Sequence, residues 1–237
     1  MARLIVGCGY LGRRVAKLWA AEGDTVHVLT RSQDRALQLQ AEGYRPLIGD
    51  VTDPSTLMAL PQVDTVLWAV GHDRQSGKSI FEVYAEGFRN LLASLAEGTL
   101  RIVYISSTGV YGQQDGGWVD EESPCEPRRP GGQACWAAEQ LLLASPWSSR
   151  AVILRLAGIY GPQRLPRLQQ LRSGEPLRSD PDGVINLIHV DDAAAAVVRV
   201  AELSLPLPRT FLIADGHPVA RRTFYEELAR QASTPPP

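Results

Sequence analysis

The segment Arg3-Leu4-Ile5-Val6-Gly7-Cys8-Gly9-Tyr10-Leu11-Gly12 constrains this chain more than any other. An apolar run passes without a spacer into glycines at 7, 9 and 12. Leu4-Ile5-Val6 reads as a buried parallel strand, and Val15, Ala16, Leu18 and Trp19 follow at helical spacing. A strand, a glycine turn and a helix N-terminus in that order let the backbone approach a pyrophosphate and aim free amides at it. The expectation is a dinucleotide site whose loop is Gly7, Gly9, Tyr10, Leu11 and Gly12, with a ligand-free glycine turn as the alternative.

Strand and helix signals then alternate. Thr25–Thr30 reads as a strand, Asp34–Glu42 as a helix, Pro46–Asp50 and Asp64–Ala69 as strands. Apolar residues at 80, 81, 84, 88, 91, 92 and 95 predict one amphipathic helix over 80–95. Further strands are expected at Leu100–Ile105 and Ala151–Leu156. Strands separated by helices imply right-handed crossovers, so the fold class is α/β, a doubly wound parallel sheet. From Gly158 the pattern shortens and is broken by Pro162, Pro166, Pro176, Pro181, Pro206 and Pro208. The division expected is a Rossmann domain over 1–157 and a small C-terminal subdomain over 158–237, on the substrate side and partly interleaved with the sheet.

A net charge of −2 argues against a dedicated nucleic-acid binder, and no apolar run reaches the length of a membrane span. Cys8, Cys125 and Cys135 are odd in number and unpaired in spacing, which suggests a reducing compartment without a disulfide framework or metal site. A cytoplasmic protein is expected. Only two of the 24 basic residues are lysines, Lys17 and Lys78.

An NAD site usually places an acid about 20 positions past the glycine loop, on the ribose 2′-OH. Here the second strand ends Leu29-Thr30-Arg31-Ser32, with Arg35 one turn on. A guanidinium at Arg31 suits a 2′-phosphate, which favours NADP over NAD; a solvated surface charge is the plainer account. Asp50, followed by Val51, closes the third strand, where its carboxylate can accept from adenine or cap the next turn.

Several segments together resemble the extended branch of the short-chain dehydrogenase/reductase superfamily, which includes nucleotide-sugar epimerases and dehydratases. They are the glycine loop, Gly49-Asp50-Val51, Trp68-Ala69-Val70-Gly71, Tyr104-Ile-Ser-Ser-Thr-Gly-Val-Tyr-Gly112, Gly158-Ile-Tyr-Gly-Pro162 and His189-Val-Asp-Asp192. The resemblance implies that Ala69 and Val70 lie beside the cofactor and that Ser107 hydrogen-bonds the reacting oxygen. It also implies a Tyr-x-x-x-Lys pair in which tyrosine is the acid/base and lysine lowers its pKa. With Glu139 as anchor, those positions are Gly131 and Cys135, and no Tyr or Lys occurs between Gly112 and Tyr160. This departure resembles the atypical members of the superfamily.

Tyr84 is then the candidate proton donor, with packing as the simpler role for it and for Tyr111. Cys135 is a poor substitute, since a buried thiol is usually inert. His189 reads as architectural, with Asp191 able to cap the following helix, and His72-Asp73-Arg74 as a polar loop near substrate. Arg128, Arg129, Arg164 and Arg167 suit an anionic substrate or plain solvent. The functional expectation is an NAD(P)-binding protein with weak or unusual oxidoreductase or epimerase activity on a small, nucleotide-linked substrate. The alternative is a redox-inactive NADP-binding sensor or scaffold. By analogy, a homodimer through the helices at 80–95 and 131–145 is compatible with this fold.

Overall fold

The computed structural model describes residues 1–178, 180–204 and 206–234. In chain order its elements are β1 (Ala2–Val6), α1 (Gly12–Ala21), β2 (Thr25–Thr30), α2 (Gln33–Ala41), β3 (Arg45–Ile48), β4 (Thr65–Trp68), α3 (Gly87–Ser94), β5 (Arg101–Ser107), α4 (Pro130–Leu143), β6 (Ala151–Leu156), β7 (Gly158–Tyr160), α5 (Leu168–Arg172), β8 (Val184–Ile185), β9 (Leu187–His189), α6 (Val190–Glu202), β10 (Arg209–Ile213), β11 (Val219–Ala220) and α7 (Arg221–Gln231). The main sheet runs β3-β2-β1-β4-β5-β6-β10, with every neighbouring pair parallel. Strand order reverses between β1 and β4, which opens a crevice beyond their carboxyl ends. The chain has the Rossmann-like, doubly wound α/β fold.

The period of two along each strand sorts the core into two layers. Ile5, Leu67, Val103, Val152 and Leu154 face the side packed by Val15, Ala16 and Trp19 of α1 and Val190, Ala194 and Val197 of α6. Leu4, Val6, Val66, Trp68, Ile102 and Tyr104 face the other side, against Phe88 and Leu91 of α3 and Ala138 and Leu142 of α4. On that side Phe88 sits between the rings of Trp68 and Tyr104, 4.8 Å from each centroid.

The segment after Gly158 contributes to both the main body and a cap. β10 extends the main sheet beside β6, and α6 packs against α1. The rest forms short sheets, β7 with β9 and β8 with β11, and a small apolar cluster of Leu171, Tyr225 and Leu228. Two expectations are corrected. The helix predicted over 80–95 is continuous from 80 to 94 but carries a π turn at Glu82–Glu86. α6 is capped by His189, whose ring nitrogen accepts the Asp191 amide at 3.3 Å, and not by Asp191.

Period two also places Arg155 of β6 toward α4, where its neighbours are apolar. Its charge is matched there by Glu139, which is fully buried, at 2.8 Å. The same guanidinium donates to the Tyr111 hydroxyl at 2.9 Å and the Glu121 carbonyl at 3.3 Å, while the Ser106 hydroxyl donates to Glu139. The network ties β5, β6, α4 and the loop after β5 together. Removing one member of a buried pair leaves the other charge without compensation. Glu139→Ala is expected to destabilise the fold by about 3–5 kcal/mol in denaturant unfolding. Arg222→Ala, which breaks a solvent-facing contact with Asp182 at 3.5 Å, should leave the midpoint nearly unchanged.

Candidate functional site

A cleft of about 550 Å³ occupies the crevice, in the size range of small-molecule sites. Its floor is the glycine loop. Gly7 has φ +97°, and a Cβ there would lie 2.5 Å from the Ala69 carbonyl carbon, so only glycine lets the loop close onto the end of β4. Gly12 is buried outside the cleft lining, and a Cβ on it would meet the Gly7 carbonyl oxygen at 2.4 Å. At Gly9 a Cβ would meet nothing within 4 Å, so that backbone faces open cleft. The amides of Tyr10, Leu11 and Gly12 donate to no acceptor among the described residues, and α1 has no side-chain cap. A helix start with bare amides and no acid in its first turn attracts an anion.

Gly7, Gly9, Tyr10, Leu11, Arg31, Asp50, Val51, Ala69, Val70, Tyr84 and Ser107 all line this cleft. Arg31 is half exposed and reaches across the mouth to Asp73 at 3.4 Å. Arg35 turns inward instead and donates to the Cys8 carbonyl at 3.1 Å. Asp50 uses one oxygen to accept from the Thr52 amide and hydroxyl, both at 2.8 Å, so it caps the local turn. The Val51 carbonyl accepts from Asn90 at 2.9 Å, which ties the turn after β3 to α3.

At the other end of the cleft, the Ser107 oxygen accepts from the Gly109 amide at 3.0 Å. The Tyr84 oxygen, on the π turn, accepts from the His72 amide at 3.1 Å. Burial raises the Tyr84 phenol above its ordinary value, against the opposing influence of the His72 amide and the more distant Arg164 charge. Each hydroxyl is thus held through its oxygen, and among the described residues neither proton has an acceptor. Cys135 lines the same region, where burial pushes its thiol up to about 11 with Glu139 adding to the effect. Gly131 lies outside the lining, in the first turn of α4. His189 also lies outside it, capping α6 with its ring T-shaped to Tyr160 at 5.3 Å between centroids, while Asp191 pairs with Arg14 at 2.7 Å.

Sequence reasoning missed Ser106 as a lining residue and the Glu139–Arg155 pair behind it. An arginine inside an otherwise apolar strand, Val152-Ile-Leu-Arg-Leu156, is the signal that points to a buried partner.

The sequence profile of the NAD-dependent epimerase/dehydratase family matches residues 4–214. The chain belongs to that family. This epimerase/dehydratase-family chain is 32% identical to protein YeeZ of Escherichia coli K12, over 98% of its own length and 84% of that protein. It is 30% identical to the 4-hydroxy-2-methyl-3-oxo-4-farnesyl-3,4-dihydroquinoline-1-oxide ketoreductase of Stigmatella aurantiaca, over 92% of this chain and 69% of the other. A Methylobacillus flagellatus protein, solved as a candidate NAD-dependent epimerase/dehydratase, superposes with a TM-score of 0.81. That likeness is 31% identical and covers 100% of this chain and 83% of the other. The family is NAD-dependent and of the extended short-chain dehydrogenase/reductase type. Among the described residues no helix is long and apolar enough to cross a membrane.

The cleft electrostatics give a direct check. The Cys8 and Cys135 thiols, both raised to about 11 chiefly by burial, stay neutral at pH 8.5, and a neutral thiol is a poor nucleophile. Half-buried Cys125 is expected to be alkylated first by iodoacetamide in the native protein, followed by peptide mapping. Preferred labelling of Cys135 would show that its thiolate is stabilised after all.

Proposed function

We propose that the chain binds a nicotinamide dinucleotide along the crevice, NADP in preference to NAD, and carries out slow reductase or epimerase-type chemistry on a small, nucleotide-linked carbonyl compound. The cradle at Gly7 and Gly9, with the bare amides of Tyr10 and Leu11, fits the diphosphate. Arg31 fits a 2′-phosphate at the mouth, Asp50 and Val51 the adenosine end, and Ala69 and Val70 the path toward nicotinamide. When bound in reduced form, the cofactor supplies hydride to a carbonyl carbon.

The observation that carries the enzymatic reading is the pair of uncommitted hydroxyl protons in one cleft. Tyr84 gives its proton to the carbonyl oxygen as negative charge develops there, and Ser107 donates a hydrogen bond to the same oxygen. Burial keeps the phenol protonated through neutral pH, so the acid form that carbonyl reduction needs is the one present. Because its pKa is raised, the acid form persists through the ordinary tyrosine value of about 10 and is lost only above it. Reductive turnover is expected to stay level from neutral pH and fall only beyond that point.

The second reading, a redox-inactive NADP-binding sensor or scaffold, is favoured by one observation. The positions expected for tyrosine and lysine hold Gly131 and the neutral thiol of Cys135. NADPH consumption over a panel of nucleotide-linked carbonyl compounds separates the two. Tyr84→Phe and Ser107→Ala are each expected to lower kcat about 10²-fold with NADPH affinity kept. Turnover by neither wild type nor variants, with binding intact, supports the sensor. For cofactor choice, Arg31→Ala should weaken NADPH about tenfold and leave NADH unchanged in calorimetric titration. Equal effects on the two would remove the case for NADP.

A further inference from the structure

The turn after β7 reaches back to the glycine loop. Gly161 and Arg164 exchange two backbone hydrogen bonds of 3.0 Å, and the Tyr10 hydroxyl donates to the Pro162 carbonyl at 2.9 Å. There is no slack at this button, since a Cβ on Gly161 would lie 2.8 Å from the Tyr10 hydroxyl oxygen. Two guanidinium groups lie against the Tyr10 ring, Arg14 at 4.3 Å and Arg164 at 5.2 Å from its centroid. They differ in commitment. Arg14 is spent on the Asp191 carboxylate at 2.7 Å and the Tyr10 carbonyl at 2.8 Å. The Arg164 side chain makes no hydrogen bond or ion pair among the described residues, although it lines the cleft.

The other cleft arginines are engaged: Arg31 faces Asp73, and Arg35 donates to the Cys8 carbonyl. Among the described residues Arg164 is therefore the cleft cation with its full donor set unused, and stacking on Tyr10 holds it beside the bare amides of the loop. A helix start contributes roughly half a positive charge. A diphosphate carries more negative charge than that, so amides from one side alone leave it under-neutralised. The guanidinium fork matches phosphate oxygens two at a time.

We propose that Arg164 closes over the diphosphate of the bound dinucleotide, opposite the glycine loop, so that cofactor affinity depends on a turn supplied after the sixth strand. This rests on reading the crevice as a dinucleotide site. The competing occupant for Arg164 is an anionic group on the second substrate, and binding without substrate separates the two.

The test is calorimetric titration of wild type, Arg164→Met and Arg164→Lys with NADPH and with 2′-phospho-ADP-ribose, which keeps the diphosphate and the 2′-phosphate and lacks nicotinamide. Arg164→Met retains bulk on the Tyr10 ring and removes the charge, and the residue is exposed, so thermal midpoints of both variants should match wild type. Arg164→Met is expected to weaken both ligands about tenfold, with Arg164→Lys recovering at least half of the loss on a logarithmic scale. Unchanged affinity in Arg164→Met, or a lysine variant no better than methionine, would overturn the proposal. Failure of wild type to bind either ligand would instead remove the dinucleotide reading on which it stands.

Discussion

The constraint on which the cleft depends is between backbones, where Gly7 lies against the Ala69 carbonyl and Gly12 against the Gly7 carbonyl. Neither contact leaves room for a Cβ. Together they seat the first turn of α1 directly on the carboxyl ends of β1 and β4, the two strands at which the sheet order reverses. The crevice then has an amide-rich floor rather than a floor of side chains. Everything else in the cleft takes its position from that floor. Tyr10, one of the four residues between Gly7 and Gly12, meets the Gly161–Arg164 turn. The loop after β4 and the carboxyl end of β5 form part of the far wall.

A second constraint works from beneath. Burying Arg155 and Glu139 is costly in isolation, and it is tolerated because their hydrogen-bonding groups are shared among Tyr111, Ser106 and the Glu121 carbonyl. That sharing has a positional consequence. Ser106 is drawn back toward α4, and the alternation along β5 leaves Ser107 directed to the other side, with its oxygen held by the Gly109 amide. The pair also places a negative charge near Cys135, which adds to burial in keeping that thiol neutral.

What could be read from sequence followed the range over which each signal acts. The first strand, the glycine turn and α1 are contiguous, so the cradle was legible in full. β2, β4 and β6 are apolar runs bounded by turns, and they appear within a residue or two of expectation. Pairings across long separations were not legible. Arg31 meets Asp73 from 42 positions away, and Arg155 meets Glu139 through a helix-to-strand packing that no local pattern encodes. The π turn was hidden for a different reason. An extra residue in one helical turn leaves the apolar spacing over 80–95 nearly intact, yet it rotates Tyr84 relative to a regular helix. β10 escaped notice because five residues, Arg209–Ile213, lie between prolines and a polar turn, and only its parallel pairing to β6 makes it part of the main sheet.

The protonation states of the cleft follow from burial more than from any single charge. Tyr84, Tyr104 and Cys135 cluster on the side toward α4, and desolvation is the largest influence on all three, each being raised. A lysine at position 135, where the resemblance implies one, would oppose this by placing a positive charge among the phenols. A thiol in its place does the reverse: it contributes no charge while neutral and leaves the phenols proton-loaded. Arg164 lowers the Tyr84 value, but it is the smallest of the influences on that group and comes from the opposite wall. The cleft therefore keeps its phenols and the Cys135 thiol protonated through neutral pH, and any proton given up there comes from a group that burial has made a weaker acid.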